Sequence, residues 1–206
     1  RKAIFLDGQP GCMAIDKPGK APCSGTCPGG IHVQGYVALI AQRRYQEAIE
    51  LIREALPFPS VCGRVCNHYC ETNCTRGKVD APLNIMALKR FVADWAYENR
   101  AAFAAPQRNI PEATGKKIAI IGAGPSGLTA ARDLVRLGHA AMVFDALPTA
   151  GGMMKVGIPP HRLPSEQLDW EIQQIVDEGV ELVLNTRVDD IPGLIEAGFD
   201  ATLIAT

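Results

Sequence analysis

A chain of 206 residues, 47% hydrophobic and 21% charged, has an ordinary globular balance and is long enough for one large domain or two small ones. A formal net charge of -1 at pH 7, with basic residues scattered in short pairs such as Arg43-Arg44 and Lys116-Lys117, gives no reason to expect nucleic acid, whose phosphates call for clustered Lys and Arg. No apolar run approaches the roughly 20 residues of a membrane span and no export signal is visible, so a cytoplasmic location is expected.

The chain opens on Arg1 without a methionine, and its beginning is expected to be missing. Seven cysteines follow, Cys12, Cys23, Cys27, Cys62, Cys66, Cys70 and Cys74, and none lies beyond position 74. An odd number without an export signal argues against a disulfide framework and for metal ligation in a reducing compartment. Cys23 to Pro28 is a C-x3-C-P element, like the tail of the ferredoxin ligand run. Helical periodicity then predicts helices over 33–42 and 45–56, the second striped by Ala48, Ile49, Ile52 and Leu56 and closed by Pro57 and Pro59.

Cys62, Cys66, Cys70 and Cys74 recur at x3 spacing. On a single helix they would span about 18 Å, too far for one cubane, so the set is either looped or divided between two clusters. Both cysteine sets together suit two 4Fe–4S centres, which at four ligands each want more than seven cysteines supply. Cys12, far from Cys23, is the least secure ligand. Zinc on the same thiols is the main rival. His68, between ligands, reads as exposed or capping. A third helix is predicted over 84–99, with Ile85, Leu88, Val92 and Trp95 on one face. Residues 101–115, with Pro106, Pro111 and Gly115, read as a linker between a helical domain over 1–100 and a second domain over 116–206.

The second domain begins as a βαβ unit: a strand over 117–121, a helix over 126–137 ended by Gly138, and a strand over 140–144. A later helix is expected over 165–178 with Ser165 as its N-cap, and strands over 180–184 and 201–205. Between the first strand and helix, Gly122-Ala123-Gly124-Pro125-Ser126-Gly127 matches G-x-G-x-x-G. Gly122 permits the turn, Gly124 lets the backbone approach a pyrophosphate, and Gly127 lets the helix pack on the strand. The helix start, with Pro125 and Ser126, offers amides and a partial positive charge to phosphate. Asp145, ending the second strand, can accept from ribose hydroxyls and disfavours a 2′-phosphate at this site. The stretch from Gly122 to Ala131 closely resembles the FAD fingerprint of flavoproteins with two dinucleotide domains. Gly151-Gly152, followed by Met153, stands at the distance from Asp145 that those flavoproteins use, which favours FAD over NAD.

The ordered set of motifs resembles one family, the FAD/iron–sulfur oxidoreductases. It comprises the small subunit of glutamate synthase, the N-terminal half of dihydropyrimidine dehydrogenase and the large subunit of NADH-dependent ferredoxin:NADP oxidoreductase. The matching stretches run from Ala21 to Pro28, from Cys62 to Cys74, from Pro82 to Ile85, and through Gly122–Gly127, Gly151-Gly152 and Gly157 to Pro164. The resemblance implies an α + α/β fold: a helical iron–sulfur domain followed by an incomplete Rossmann-like FAD-binding domain. By it, Cys23 and Cys74 serve one cluster and Cys27, Cys66 and Cys70 the other, while Cys62 stands where a cysteine need not ligate. Arg162 would lie near the flavin side of FAD, Asp145 at the adenosine ribose, and Val188 by the adenine through its backbone.

Two departures stand out. The family usually places two cysteines shortly before the C-x3-C-P element, and none lies between Cys12 and Cys23. The family's position for a non-cysteine ligand falls at about Lys89, whose protonated amine has no lone pair, with Cys62 as a substitute at hand. The resemblance also implies a second glycine-rich domain for NAD(P)H, placed after Thr206. The function expected is an electron-transfer flavoprotein module in a multi-subunit complex. It would pass electrons between NAD(P)H, FAD and the clusters to a partner subunit or domain. The rivals are an NAD-dependent dehydrogenase with a structural zinc module and a non-enzymatic wiring subunit.

Overall fold

The computed structural model describes residues 20–102 and 111–206, so Cys12 and part of the expected linker lie outside the described residues. The helical part starts with one turn, α1 (Pro22–Gly25), and continues through α2 (Val33–Ala41) and α3 (Tyr45–Ala55). His32 caps α2 by accepting from the Gly35 amide at 2.8 Å. Ala48, Ile49 and Ile52 form the buried stripe of α3, as their spacing requires. Pro59 does more than stop α3: as a first-turn residue it starts α4 (Pro59–Val65). The chain is extended at Cys66, passes His68 at a φ of 43°, and makes α5 (Tyr69–Thr72) and a 3-10 turn at Thr75–Lys78. The cysteine run is therefore looped.

Helix α6 (Ile85–Glu98) closes this part. Its buried face is Ile85, Lys89, Val92, Ala93 and Ala96, whereas Leu88 and Trp95 are half-buried. The expected stripe is thus turned by about one position, and a lysine sits in the seam.

The second part alternates strand and helix: β1 (Lys117–Ile121), α7 (Pro125–Arg136), β2 (Ala140–Phe144), α8 (Met153–Val156), α9 (Ser165–Asp177), β3 (Glu181–Val183), α10 (Ile191–Glu196) and β4 (Ala201–Ile204). The four strands are parallel in the order β3-β2-β1-β4, the crossover topology of a Rossmann-like half. Gly138, at a φ of +86°, ends α7 as the sequence predicts. Ser165 is not an N-cap: Pro164 occupies the cap position without a side-chain bond, and Ser165 is already helical. Proline holds its own φ near −60° and the helix starts directly after it.

The two parts share packing. Phe58 and Val61 of the helical part belong to the sheet's apolar core, with Ile120, Leu128, Val143 and Leu168. Trp170 of α9 packs against the helical core, and the Arg53 guanidinium lies 4.6 Å from its ring. Around this contact the Ser60 amide donates to Glu171 Oε1 at 2.7 Å, and Arg64 donates to Asp94 Oδ1 at 2.5 Å and Gln167 Oε1 at 2.9 Å. Arg136 reaches the Glu54 carbonyl at 3.1 Å and pairs with Glu178 at 2.6 Å. Glu171 is fully enclosed, and burial pushes its carboxyl up to about 7 against the bonds from Ser60 and the charges of Arg53 and Arg64.

Candidate dinucleotide and iron–sulfur sites

The glycine loop joins the carboxyl end of β1 to α7, and each glycine has a different neighbour. A Cβ on Gly127 would lie 1.9 Å from the Gly122 carbonyl oxygen, so only glycine lets the first turn of α7 close on the loop. Gly122 has a φ of +112° and would set a Cβ 2.5 Å from the Ala205 carbonyl oxygen. A Cβ on Gly124 would meet nothing within 4 Å. Gly124 borders open space at the amino end of a 12-residue helix whose first amides lack intrahelical acceptors. Those features fit a bound pyrophosphate.

Gly151 and Gly152 brace this loop. The Gly151 amide donates to the Ala123 carbonyl at 2.8 Å, and a Cβ on Gly152 would sit 2.8 Å from Gly124 Cα. The Asp145 carboxylate accepts from the Ala123 amide at 2.7 Å and the Leu147 amide at 2.8 Å. Each oxygen keeps a lone pair for a further donor. Beyond β3 the chain is tied to the same corner, with the Thr186 amide donating to the Asp145 carbonyl at 2.8 Å. Val188, two residues on, is half-buried. Arg162 is exposed and donates to the Arg64 carbonyl at 3.3 Å, against the end of α4.

A cavity of about 530 Å³ lies between the two parts. Leu56, Phe58 and Cys62 line its helical side, and Pro125, Met153 and Met154 its sheet side. It runs from the start of α7 to a candidate ligand cysteine and is walled almost wholly by apolar groups. No single motif marks it in the sequence; the one local signal is an aromatic residue held between Pro57 and Pro59.

The thiols fall into two places. Cys62 is pushed up to about 11 by burial, an effect the Lys89 ammonium opposes and Cys66, Glu171 and Cys27 reinforce. Burial raises Cys70 in the same way, again with Lys89 opposing and Cys66 and Cys27 adding. These four cysteines therefore share one neighbourhood with Lys89. The Tyr36 hydroxyl, which donates to the Ile85 carbonyl at 3.4 Å, is also driven up by burial and by the nearby Cys70, Cys27 and Cys23.

Cys74 lines a separate, open cavity of about 630 Å³ with Pro22, His68 and Pro82. Backbone hydrogen bonds from Leu83, Arg76 and Gly77 pull its thiol below the usual range. Cys23 is carried by α1, which packs on α5, the element just before Cys74. His68 is exposed; its amide donates to Cys66 Sγ at 3.3 Å, and its ring lies 3.1 Å from the Cys66 carbonyl. Among the described residues no three His, Cys, Asp or Glu side chains converge as they would round one ion.

Residues 12–101 match the family described as dihydropyrimidine dehydrogenase domain II, 4Fe-4S cluster. Residues 120–178 match the NAD(P)-binding Rossmann-like domain family. The chain thus carries an iron–sulfur domain match followed by a Rossmann-like domain match. Relatives similar to it include the NADP(+)-dependent formate dehydrogenase subunit beta of Moorella thermoacetica, 43% identical over 90% of this chain and 29% of the relative. The NADPH-Fe(3+) oxidoreductase subunit beta of Geobacter sulfurreducens is 41% identical over 90% of this chain and 28% of its own length. The NAD-dependent dihydropyrimidine dehydrogenase subunit PreT of Salmonella typhimurium is 38% identical, with 82% and 40% covered. The chain spans less than half the length of these relatives. No helix among the described residues is long and apolar enough to cross a membrane.

Proposed function

We propose that this segment is the electron-transferring core of an FAD-dependent, NAD(P)H-linked iron–sulfur oxidoreductase. FAD would lie on the Gly122–Gly127 loop, and two 4Fe–4S clusters would occupy the cysteine sites. The observation that carries the reading is the apolar cavity joining the amino end of α7 to Cys62. Bound in these sites, FAD supplies the conversion of hydride equivalents into single electrons, and the clusters supply one-electron storage.

The chain's own residues bind, orient and exclude water. Gly124 and the amides at Ser126 and Gly127 receive the pyrophosphate, with Pro125 presetting the first helical turn. Asp145 uses its remaining lone pairs for the ribose hydroxyls, and the Val188 backbone meets the adenine. Gly151 and Gly152 hold the loop, and Met153, Phe58 and Leu56 keep water from the redox ring. Arg162 stands toward the flavin end, beside the turn before Cys66. Cys27, Cys66 and Cys70, with Cys62, hold the inner cluster; Cys23 and Cys74 hold the outer one. NAD(P)H and the electron-accepting subunit or domain lie outside these residues, in a multi-subunit assembly in a reducing cytoplasm.

Anaerobic purification followed by a visible spectrum, with flavin, iron and sulfide measured on the same sample, tests this. Flavin bands over a broad iron–sulfur shoulder, with about eight irons per FAD, are expected. A colourless protein holding zinc would refute it.

A further inference from the structure

Lys89 is 3% exposed and occupies the core-facing seam of α6, between Ile85 and Val92. Amphipathic patterning puts an aliphatic residue there, and a charge in such a seam is out of place unless something offsets it. Among the described residues its ammonium has no carboxylate partner and makes no hydrogen bond. What it faces follows from the helix crossing. Helices α4 and α6 meet so closely that a Cβ on Gly63 would lie 2.8 Å from Arg90 Cα. Cys62 and Lys89 each stand one residue from that contact, and α5, carrying Cys70, packs on α6 as well. The same ammonium acts on both Cys62 and Cys70.

Neutral thiols cannot offset a buried cation. A 4Fe–4S cluster on four thiolates can: it is a dianion when oxidised and a trianion after taking one electron. A fixed cation beside it favours the more negative, reduced form. A protonated amine has no lone pair to give iron, so the same residue is not a ligand. We propose that Lys89 is the resident counter-charge of the inner cluster, set against the sulfurs of Cys27, Cys62, Cys66 and Cys70 so as to raise its reduction potential. The inference rests on the cluster assignment proposed above and concerns a positioning residue.

The test is a dithionite titration of the cluster-loaded protein under anaerobic conditions, followed by electron paramagnetic resonance, with iron measured on each sample. If the wild-type protein holds no iron, the proposed function itself has failed, a result distinct from any effect of residue 89. With iron present, Lys89→Met is expected to keep wild-type iron. It should lower the reduced-to-oxidised ratio of one cluster at fixed potential at least tenfold, equal to about 59 mV for one electron. Lys89→Arg, which keeps the charge, is expected to stay within about threefold of wild type. Should the methionine variant not fold, Lys89→Gln reads the same ratio. A neutral variant with full iron and an unchanged ratio overturns the proposal, as does loss of one cluster's iron, which is the signature of a ligand.

Discussion

Replacing Gly124 and Gly127 one at a time by alanine should separate nucleotide binding from folding. At Gly124 the backbone is extended, φ −79° and ψ −176°, which alanine adopts freely, and the new methyl meets no protein atom within 4 Å. Restricting the unfolded chain then contributes about 0.4–1 kcal/mol of stability. For a chain of this size that raises the apo-protein Tm by roughly 1–4 °C. The methyl fills the space kept for the pyrophosphate, so flavin recovered per chain should fall at least tenfold. At Gly127 the methyl falls 1.9 Å from the Gly122 oxygen, inside van der Waals contact, and α7 must move off the loop. Overpacking against backbone costs about 1–3 kcal/mol or more, and Tm should fall by several degrees with the flavin also lost. Calorimetry of apo-protein, paired with flavin released by heat and read by fluorescence, measures both. A Gly124→Ala protein that keeps its flavin, or unfolds as readily as Gly127→Ala, would refute the reasoning.

Three further outcomes follow from the same geometry. Glu171 titrates near 7 when folded and in the ordinary carboxylate range when unfolded, so the folded state holds the proton more tightly. Its contribution is fully present below the unfolded value and is lost as pH rises through about 7, by roughly 1–3 kcal/mol; urea unfolding at mildly acid and mildly alkaline pH should show this in the wild type and not in Glu171→Gln. Arg64→Ala removes a buried guanidinium from Asp94 and Gln167 and should cost about 2–4 kcal/mol in urea unfolding; a change below about 0.5 kcal/mol would show that the two parts are not tied there. Cys70→Ser and Cys74→Ser should each remove about four irons and abolish different paramagnetic signals, whereas loss of the same signal in both would place the two cysteines on one cluster.

The sheet and the glycine loop were legible because they are set locally. Gly122 and Gly127 answer backbone requirements and Gly124 keeps a space open, all within six consecutive residues, and the strands are short apolar runs beside them. The expected element ends agree with the structure to within a residue or two, and the start of α9 differs because Pro164, not the Ser165 hydroxyl, sets it. The break in the cysteine run was harder. No glycine or proline lies between Cys66 and Cys74, and the turn is made by His68 in a left-handed conformation that its side chain does not advertise. Likewise the pattern on α6 selected Leu88 and Trp95, since the strongest apolar residues outweigh a lysine in any periodicity argument; only packing turns the helix so that Lys89 faces inward. The cavity is assembled from positions as far apart as Gly29 and Ile158, and no window of sequence contains it.

The way the two parts meet bears on electron transfer. Apolar contact alone, such as Phe58 and Val61 entering the sheet core, is non-directional and would tolerate sliding. The polar groups around it do not. Arg64, two residues before Cys66, spends its guanidinium on Asp94 of α6 and Gln167 of α9 while its carbonyl accepts from Arg162. Ser60, at the start of the same helix, gives its amide to Glu171. Helix α4 is thus fixed to α9 at both ends, and α9 packs on α7 and α8, the elements that begin at the glycine loop and at Gly152. Hydrogen bonds have preferred lengths and angles, and a buried network that loses one member leaves others unsatisfied. The separation between the nucleotide loop and Cys66 is therefore held by a continuous path of helices. A substitution anywhere on that path, even one remote from both cofactor sites, should alter the electronic coupling between them before it unfolds the protein.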